Sequence, residues 1–186
     1  HQKTVDDVIS WLKEYGNIKD KSFCDAGCGV GSLSIPLAKL GAHSIHLSDI
    51  SEAMINETKS RAKEAGLDLN KLNFRTSDLE NLKGSFNTVI CLDVFIHYPQ
   101  QDAEAMVKHL CQLSEERLIV SFAPYTPLLA LLKRIGQLFP GPSKTTRAYT
   151  LREAGIIAAA NQSGFKVVKS KLNQAPFYFS KLIEFV

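Results

Sequence analysis

The residues with the clearest chemistry are Asp25-Ala26-Gly27-Cys28-Gly29-Val30-Gly31, directly after the apolar pair Phe23-Cys24. Glycines at alternating positions let a backbone bend sharply and bring its N–H groups against a ligand with no Cβ in the way. A helix following such a turn adds the positive end of its dipole. Dinucleotide-binding folds place a G-x-G-x-x-G turn at the same point, so the glycines alone do not choose a ligand. Here the pattern is D-x-G-x-G-x-G, and a second acid, Asp49, ends the next apolar segment about 20 residues on. An acid before the first glycine repels a pyrophosphate and suits an ammonium group. The pattern therefore favours S-adenosylmethionine, with its zwitterionic methionine end and cationic sulfonium, over NAD. A tight αβ turn without a ligand is the plain alternative.

The elements that would position these residues alternate. Thr4-Val5-Asp6-Asp7 has the form of a capping box, with Val5, Val8, Ile9 and Leu12 at helical spacing behind it. Strands are expected at residues 22–26 and 44–48, with a helix over about 31–40 between them. Ser51 should cap a helix that stops at Gly66. Residues 72–76 alternate as a strand does, and 86–92 form the apolar run of a strand buried on both faces. A helix opening at Pro99, a strand over 117–122, and a helix capped by Thr150-Leu151-Arg152-Glu153 and closed by Gly164 follow. The strands expected at 166–172 and 177–185 are joined by only 173–176, too short for a crossover, so the last runs antiparallel. The fold class expected is α/β and Rossmann-like: a seven-stranded, mostly parallel sheet with an antiparallel last strand and helices on both faces.

At 186 residues the chain is expected to form a single domain over 1–186. Its four cysteines, Cys24, Cys28, Cys91 and Cys111, make no C-x-x-C pair and fall in apolar segments, which suits free thiols in a reducing compartment. No histidine stands near them at zinc-ligand spacing, and no carboxylate cluster suggests a protein metal site. No segment approaches the apolar length of a membrane-spanning helix. Charge is uneven. Residues 124–186 carry nine Lys and Arg against Glu153 and Glu184, a net +7, and the remainder sums to −4. A basic half is a solvated face, a seat for an anionic substrate or a membrane-facing surface.

Ligands of open parallel sheets bind beyond the carboxyl ends of the strands. With adenosylmethionine there, Asp25, Gly27, Cys28, Gly29 and Gly31 form the turn, and Asp49 accepts from the two ribose hydroxyls. Ile50 and Met54 pack on the adenine. Asp78 accepts from its amino group while the Leu79 N–H donates to a ring nitrogen, and Cys91 and Leu92 close the end of the fourth strand. A single strand-end acid is commonly a helix cap. Three at consecutive strand ends argue for a site.

Two longer stretches carry a resemblance. They are Cys91-Leu92-Asp93-Val94-Phe95-Ile96-His97-Tyr98-Pro99 and the run from Ser121 through Pro127, Leu132, Lys133 and Arg134 to Pro140-Gly141-Pro142, Lys144 and Thr146-Arg147-Ala148-Tyr149. With the glycine turn, they make the chain resemble class I S-adenosylmethionine-dependent methyltransferases over nearly its whole length, and among them the magnesium-protoporphyrin IX O-methyltransferase family. The resemblance implies methyl transfer from S-adenosylmethionine to a propionate of magnesium protoporphyrin IX, with magnesium present only inside that substrate. It also implies a partner, the large subunit of magnesium chelatase. The implied location is the cytoplasm or plastid stroma, with peripheral contact to thylakoid or envelope membranes; no nucleic-acid partner is expected. The chain opens on His1 just before its first helix, so a family N-terminal lid segment is expected to lie outside it.

The insert 125–149 is expected to be a helical lid over the acceptor. Thr126 caps it, Pro127 takes the first position, and the leucines that follow could meet a flat macrocycle. Lys133, Arg134, Lys144, Arg147 and Tyr149 are the substrate-binding candidates, the bases holding carboxylates. The same leucines would serve equally as core. His97, just past the fourth strand, is the catalytic candidate beside the reacting oxygen, and Tyr98 is a second. A helix-start histidine satisfied by backbone is the alternative. Two other functions fit the same residues: methylation of another small acceptor such as a quinone precursor, or nucleotide binding without chemistry.

Overall fold

The computed structural model describes residues 1–125, 149–175 and 178–186. Seven strands, β1 (Ser22–Ala26), β2 (Ser44–Asp49), β3 (Leu72–Thr76), β4 (Phe86–Cys91), β5 (Ser114–Phe122), β6 (Val167–Ala175) and β7 (Tyr178–Phe185), form one sheet. Its order is β3-β2-β1-β4-β5-β7-β6. Every pairing from β3 to β5 is parallel, and β7 runs antiparallel between β5 and β6. The order reverses where β1 pairs with both β2 and β4, which opens a crevice at the carboxyl ends of those strands.

Side-chain alternation along the strands builds two cores. Cys24, Ala26, Val89, Cys91, Leu118, Val120 and Phe122 face α4 (Gln100–Leu113) and α5 (Glu153–Gln162). Phe23, Ile45, Leu47, Ile90 and Ile119 face α1 (Gln2–Glu14), α2 (Ser34–Lys39) and α3 (Glu52–Glu64). Val89 and Ile90 are both 0% exposed, as a strand covered on two faces requires. Ser51 caps α3, its hydroxyl accepting from the Met54 N–H, and Gly66 at φ +69° ends it.

Several boundaries differ from expectation. Thr4 does not cap α1, which begins at Gln2. Its side chain is buried, and its hydroxyl accepts from the Asn173 amide at 3.3 Å. Thr150 does not cap α5 either, because Arg152 holds the N-cap position and Leu151 bridges to Pro124. α2 starts at Ser34 rather than about Gly31, since Gly31 donates back to the Cys28 carbonyl and the chain is still turning there. β5 begins at Ser114, immediately after α4. Strand β6 continues to Ala175, so the link to β7 is shorter than the four residues expected. No helix among the described residues is long and apolar enough to cross a membrane.

Basic residues of the last strands have acidic partners. Lys169 pairs with Glu14, Lys171 with Asp7 and Lys181 with Glu153, so much of the C-terminal positive charge binds α1 and α5 to the sheet. Lys133, Arg134, Lys144 and Arg147 lie outside the described residues, as does the insert between Tyr125 and Tyr149.

Candidate active site

The glycine turn is tied down before any ligand is considered. The N–H groups of Gly27 and Cys28 both donate to the Ser48 carbonyl at the end of β2, at 2.8 and 2.9 Å. Gly27, at φ +82°, tolerates no side chain: a Cβ there would come within 2.3 Å of the Val94 Cγ2. Gly31, at φ +77°, is equally closed, with the Thr58 methyl 2.6 Å from where its Cβ would stand. Gly29 differs. It has φ +52° and open space beyond it, as a residue on a cleft wall should. Thr58 on α3 donates to the Gly29 carbonyl at 2.7 Å, which fixes the turn from behind.

Asp49 is held by backbone. Its two oxygens accept from the Gly29 N–H and the Ser51 N–H, each at 2.9 Å. A carboxylate retains lone pairs after one such bond per oxygen, so this one is oriented without being used up. The turn and Asp49 form one wall of a cleft of about 810 Å³. Ile50, Met54, Ser77 and Leu79 line it, as do His1, Leu92, Asp93, Val94, His97 and Tyr98. Ile50 is 77% exposed, an apolar side chain standing open on a cleft rim.

The remaining expected residues are placed behind that wall. Asp25 is buried, and one of its oxygens accepts from the Ser34 hydroxyl. Burial pushes its carboxyl up to about 6, partly offset by that hydrogen bond and by His1. Asp78 caps a 3-10 turn over Leu79–Asn81, accepting from the Asn81 N–H at 3.1 Å. Neither acid is on the cleft lining, nor are Gly31 and Cys91. Cys28 is on it, with its thiol pushed up by burial and by Asp25 and Asp49, so it is a neutral thiol at physiological pH.

His97 ends a 3-10 turn, Phe95–His97, and is exposed on the cleft. The Tyr98 hydroxyl is pushed well up by burial and by Glu80, so it stays a neutral donor. The Tyr149 N–H donates to the Ile96 carbonyl at 2.8 Å, the Tyr125 N–H to the Leu151 carbonyl at 2.7 Å, and the Leu151 N–H to the Ala123 carbonyl at 2.9 Å. Both ends of the 125–149 insert are therefore anchored next to the loop that carries His97. Ser77 and Asp93 stand on the lining at strand ends, a signal legible in the sequence, whereas His1, Val30, Ser32 and Val94 had not been expected there and His1 carried no signal.

Two family models match the chain. A methyltransferase domain covers residues 23–116, and the magnesium-protoporphyrin IX methyltransferase C-terminus covers residues 91–186. A magnesium-protoporphyrin O-methyltransferase from Synechocystis is 51% identical over the whole chain, which spans 80% of that protein. The chain belongs to the magnesium-protoporphyrin IX methyltransferase family. A chloroplastic magnesium protoporphyrin IX methyltransferase from Arabidopsis thaliana is 50% identical over the same length, of which the chain spans 59%. Among solved structures, the Synechocystis PCC 6803 family member with bound S-adenosylhomocysteine superposes with a TM-score of 0.91 at 49% identity, covering 100% of this chain and 82% of that one. The cleft here suits the same class of group. Its oriented acid, open Gly29 backbone and apolar rim complement a ribose, a thioether chain and a purine respectively.

Proposed function

We propose that the chain transfers a methyl group from S-adenosylmethionine to a propionate carboxylate of magnesium protoporphyrin IX, giving the monomethyl ester and S-adenosylhomocysteine. One observation carries this reading: a backbone-oriented acid and an exposed histidine line one cleft built on a glycine turn. When bound, the cofactor supplies an electrophilic methyl group on sulfur. Asp49 would accept from the ribose hydroxyls, Ile50 and Met54 would cover the adenine, and Leu79 would present its N–H to the ring. Asp78 would reach the adenine amino group only beside its capping bond to Asn81, which makes it the weaker part of that assignment.

A propionic acid has a pKa of about 4.3 and is already an anion at neutral pH. The chain's task is therefore to remove water from that anion and align one oxygen with the methyl group. Alignment of this kind contributes up to roughly 7–11 kcal/mol. His97 would donate to the carboxylate oxygen that is not reacting, and Tyr98, kept neutral, would be a second donor. The insert 125–149 would act as the acceptor-binding lid, with Lys133, Arg134, Lys144 and Arg147 as carboxylate partners and Tyr149 at its anchored end. Contact with the large subunit of magnesium chelatase and with a membrane surface belongs to the same reading, as does a cytoplasmic or stromal location.

The test is direct. Purified protein is incubated with adenosylmethionine and either magnesium protoporphyrin IX or a phenolic quinone precursor, and the methylated products are separated by chromatography. Ester formed from the porphyrin alone supports the reading; ether formed from the phenol alone overturns it. His97→Phe should lower porphyrin turnover roughly 10²-fold while leaving S-adenosylhomocysteine affinity near wild type. Full activity in that variant would make His97 structural.

A further inference from the structure

Beyond the insert, Lys169, Lys171 and Lys181 each face an acid, and Lys166 stands at the amino end of the sheet, just before β6. Arg152 is different. It is exposed at the carboxyl end, as the N-cap of α5, with no acid within ion-pair distance among the described residues. The neighbouring Glu153 is turned to Lys181 at 3.0 Å. The backbone of Arg152 is fixed from α4. Its N–H donates to the Gln100 Oε1 at 2.7 Å, and the Gln100 Nε2 donates to the Glu104 carboxylate at 2.7 Å and to the Arg152 carbonyl at 3.4 Å. Gly155 makes room for that bridge, since a Cβ there would stand 2.1 Å from the Glu104 Oε1 and 2.5 Å from the Gln100 Nε2. The Arg152 guanidinium lies 5.8 Å from the centre of the Tyr125 ring, itself 45% exposed.

Both residues stand beside the loop that carries His97. Gln100 follows that histidine closely, and the Leu151 carbonyl that accepts from the Tyr125 N–H is next to Arg152. Neither Tyr125 nor Arg152 lines the cleft, so neither is placed to meet the carboxylate that reacts there. A monomethyl ester, however, keeps a carboxylate that stays free, and a macrocycle with one propionate in the cleft carries the other beyond its rim. We infer that Arg152, backed by the Tyr125 ring, holds the acceptor's carboxylate that is not methylated. A guanidinium over an aromatic face keeps its N–H edges free, and its planar fork matches a carboxylate through two parallel bonds. The ring also restrains a long side chain, which lowers the entropic cost of the contact. Fixing that carboxylate sets the orientation in which the other enters the cleft. The inference rests on the proposed reading that a porphyrin dicarboxylate is the acceptor.

Three ligands decide it: magnesium protoporphyrin IX, its monomethyl ester as the enzyme makes it, and its dimethyl ester. Affinities are measured by fluorescence titration, with S-adenosylhomocysteine present, for the wild type, Arg152→Gln, Tyr125→Leu and Lys166→Gln; melting curves confirm each fold. Arg152→Gln should weaken the diacid and the monomethyl ester alike, by about five- to tenfold, a modest loss because Arg152 is open to solvent. The dimethyl ester, which has no free carboxylate, should bind as before. Tyr125→Leu should show the same pattern at a smaller size. Lys166→Gln, which removes the same charge at the other end of the sheet, should change none of the three. A loss in Arg152→Gln confined to the diacid would put Arg152 on the reacting carboxylate and overturn the assignment. Equal weakening of all three ligands, or of none, also overturns it, as does a Lys166→Gln variant that matches Arg152→Gln. A wild type that binds none of the porphyrins overturns the acceptor reading itself, which separates that failure from this one.

Discussion

The two ends of the sheet use charged side chains in opposite ways. At the carboxyl end, Asp49 is held by backbone N–H groups, donors that orient an acid without neutralising it. At the amino end, acids and bases face each other. Glu184, 0% exposed, meets Arg117 at 2.7 Å, and the Arg117 guanidinium lies 3.6 Å from the Tyr15 ring centre. Lys21 pairs with Glu116 nearby, around a smaller cleft of about 220 Å³. A charge already paired has little left for a ligand; one oriented by neutral donors still wants a cation or a hydroxyl. The carboxyl end is therefore built to bind, and the amino end to hold α1 against the sheet.

Removing one partner should expose that division most strongly at Arg117. Arg117→Met leaves Glu184 buried without its cation and should destabilise the fold by about 3–5 kcal/mol. Neither Arg117 Nε nor Glu184 Oε1 has a well-directed hydrogen bond, so the pair is held by charge more than by geometry. Arg117→Met with Glu184→Gln should accordingly regain most of the loss. Chemical denaturation measures both. If the single variant unfolds at the wild-type denaturant concentration, the amino-end cluster contributes nothing to stability and the comparison fails.

This division also explains what the amino-acid sequence revealed. The glycine turn, Asp49, the Ser51 cap and strand β3 are patterns within a few residues of each other or at a fixed offset, and each stood where expected. The seam between α1 and the last strands is made of partners far apart in the chain: Tyr15 with Glu184, and Asn173 with both Thr4 and Asp7. No local pattern announces such pairs. Thr4 shows the cost, since a threonine followed by acids looks the same whether it caps a helix or lies buried against a strand 169 positions away. Asp93 was legible as a strand-end acid, but its hydrogen bonds to Ser121 and Ser180 were not, because those serines stand on two other strands. Asp25 was over-interpreted for a related reason: spacing put it beside the glycines, and only burial shows which side of the turn it faces.

Asp25 provides a pH test of that last point. An acid whose folded value is raised, here from 3.8 to about 6, holds its proton longer in the folded state. The folded state therefore binds more protons between those values, and stability declines as pH rises through that window. Asp25→Asn keeps an oxygen for Ser34 and cannot ionise. It should make the decline shallower, leaving the part due to Glu184 and His1, whose values are also raised, and stabilise the protein above pH 6 by up to about 3 kcal/mol. Melting temperatures from pH 4 to pH 8 compare the two proteins. Identical profiles for the two proteins across that interval would mean that Asp25 is solvated and faces the cleft after all.

Asp49 should show the reverse: a small effect on the fold and a selective one on binding. In Asp49→Ala the Gly29 and Ser51 N–H groups lose their acceptor, but both sit at a cleft edge where water can replace it, so the melting temperature should change little. Affinity for S-adenosylhomocysteine should fall by about 1.5–3 kcal/mol, the range for hydrogen bonds to a charged group. Asp49→Asn is the sharper variant. Its amide has one oxygen and one NH₂, so it cannot accept from both backbone N–H groups at once, and one donor is left facing another. Asparagine should consequently bind no better than alanine despite its closer shape. If Asn instead recovers most of the affinity, the ribose contact needs only one acceptor and the two-sided backbone hold on Asp49 is incidental to binding. Calorimetry on the three proteins, with melting curves to confirm the fold, separates those outcomes.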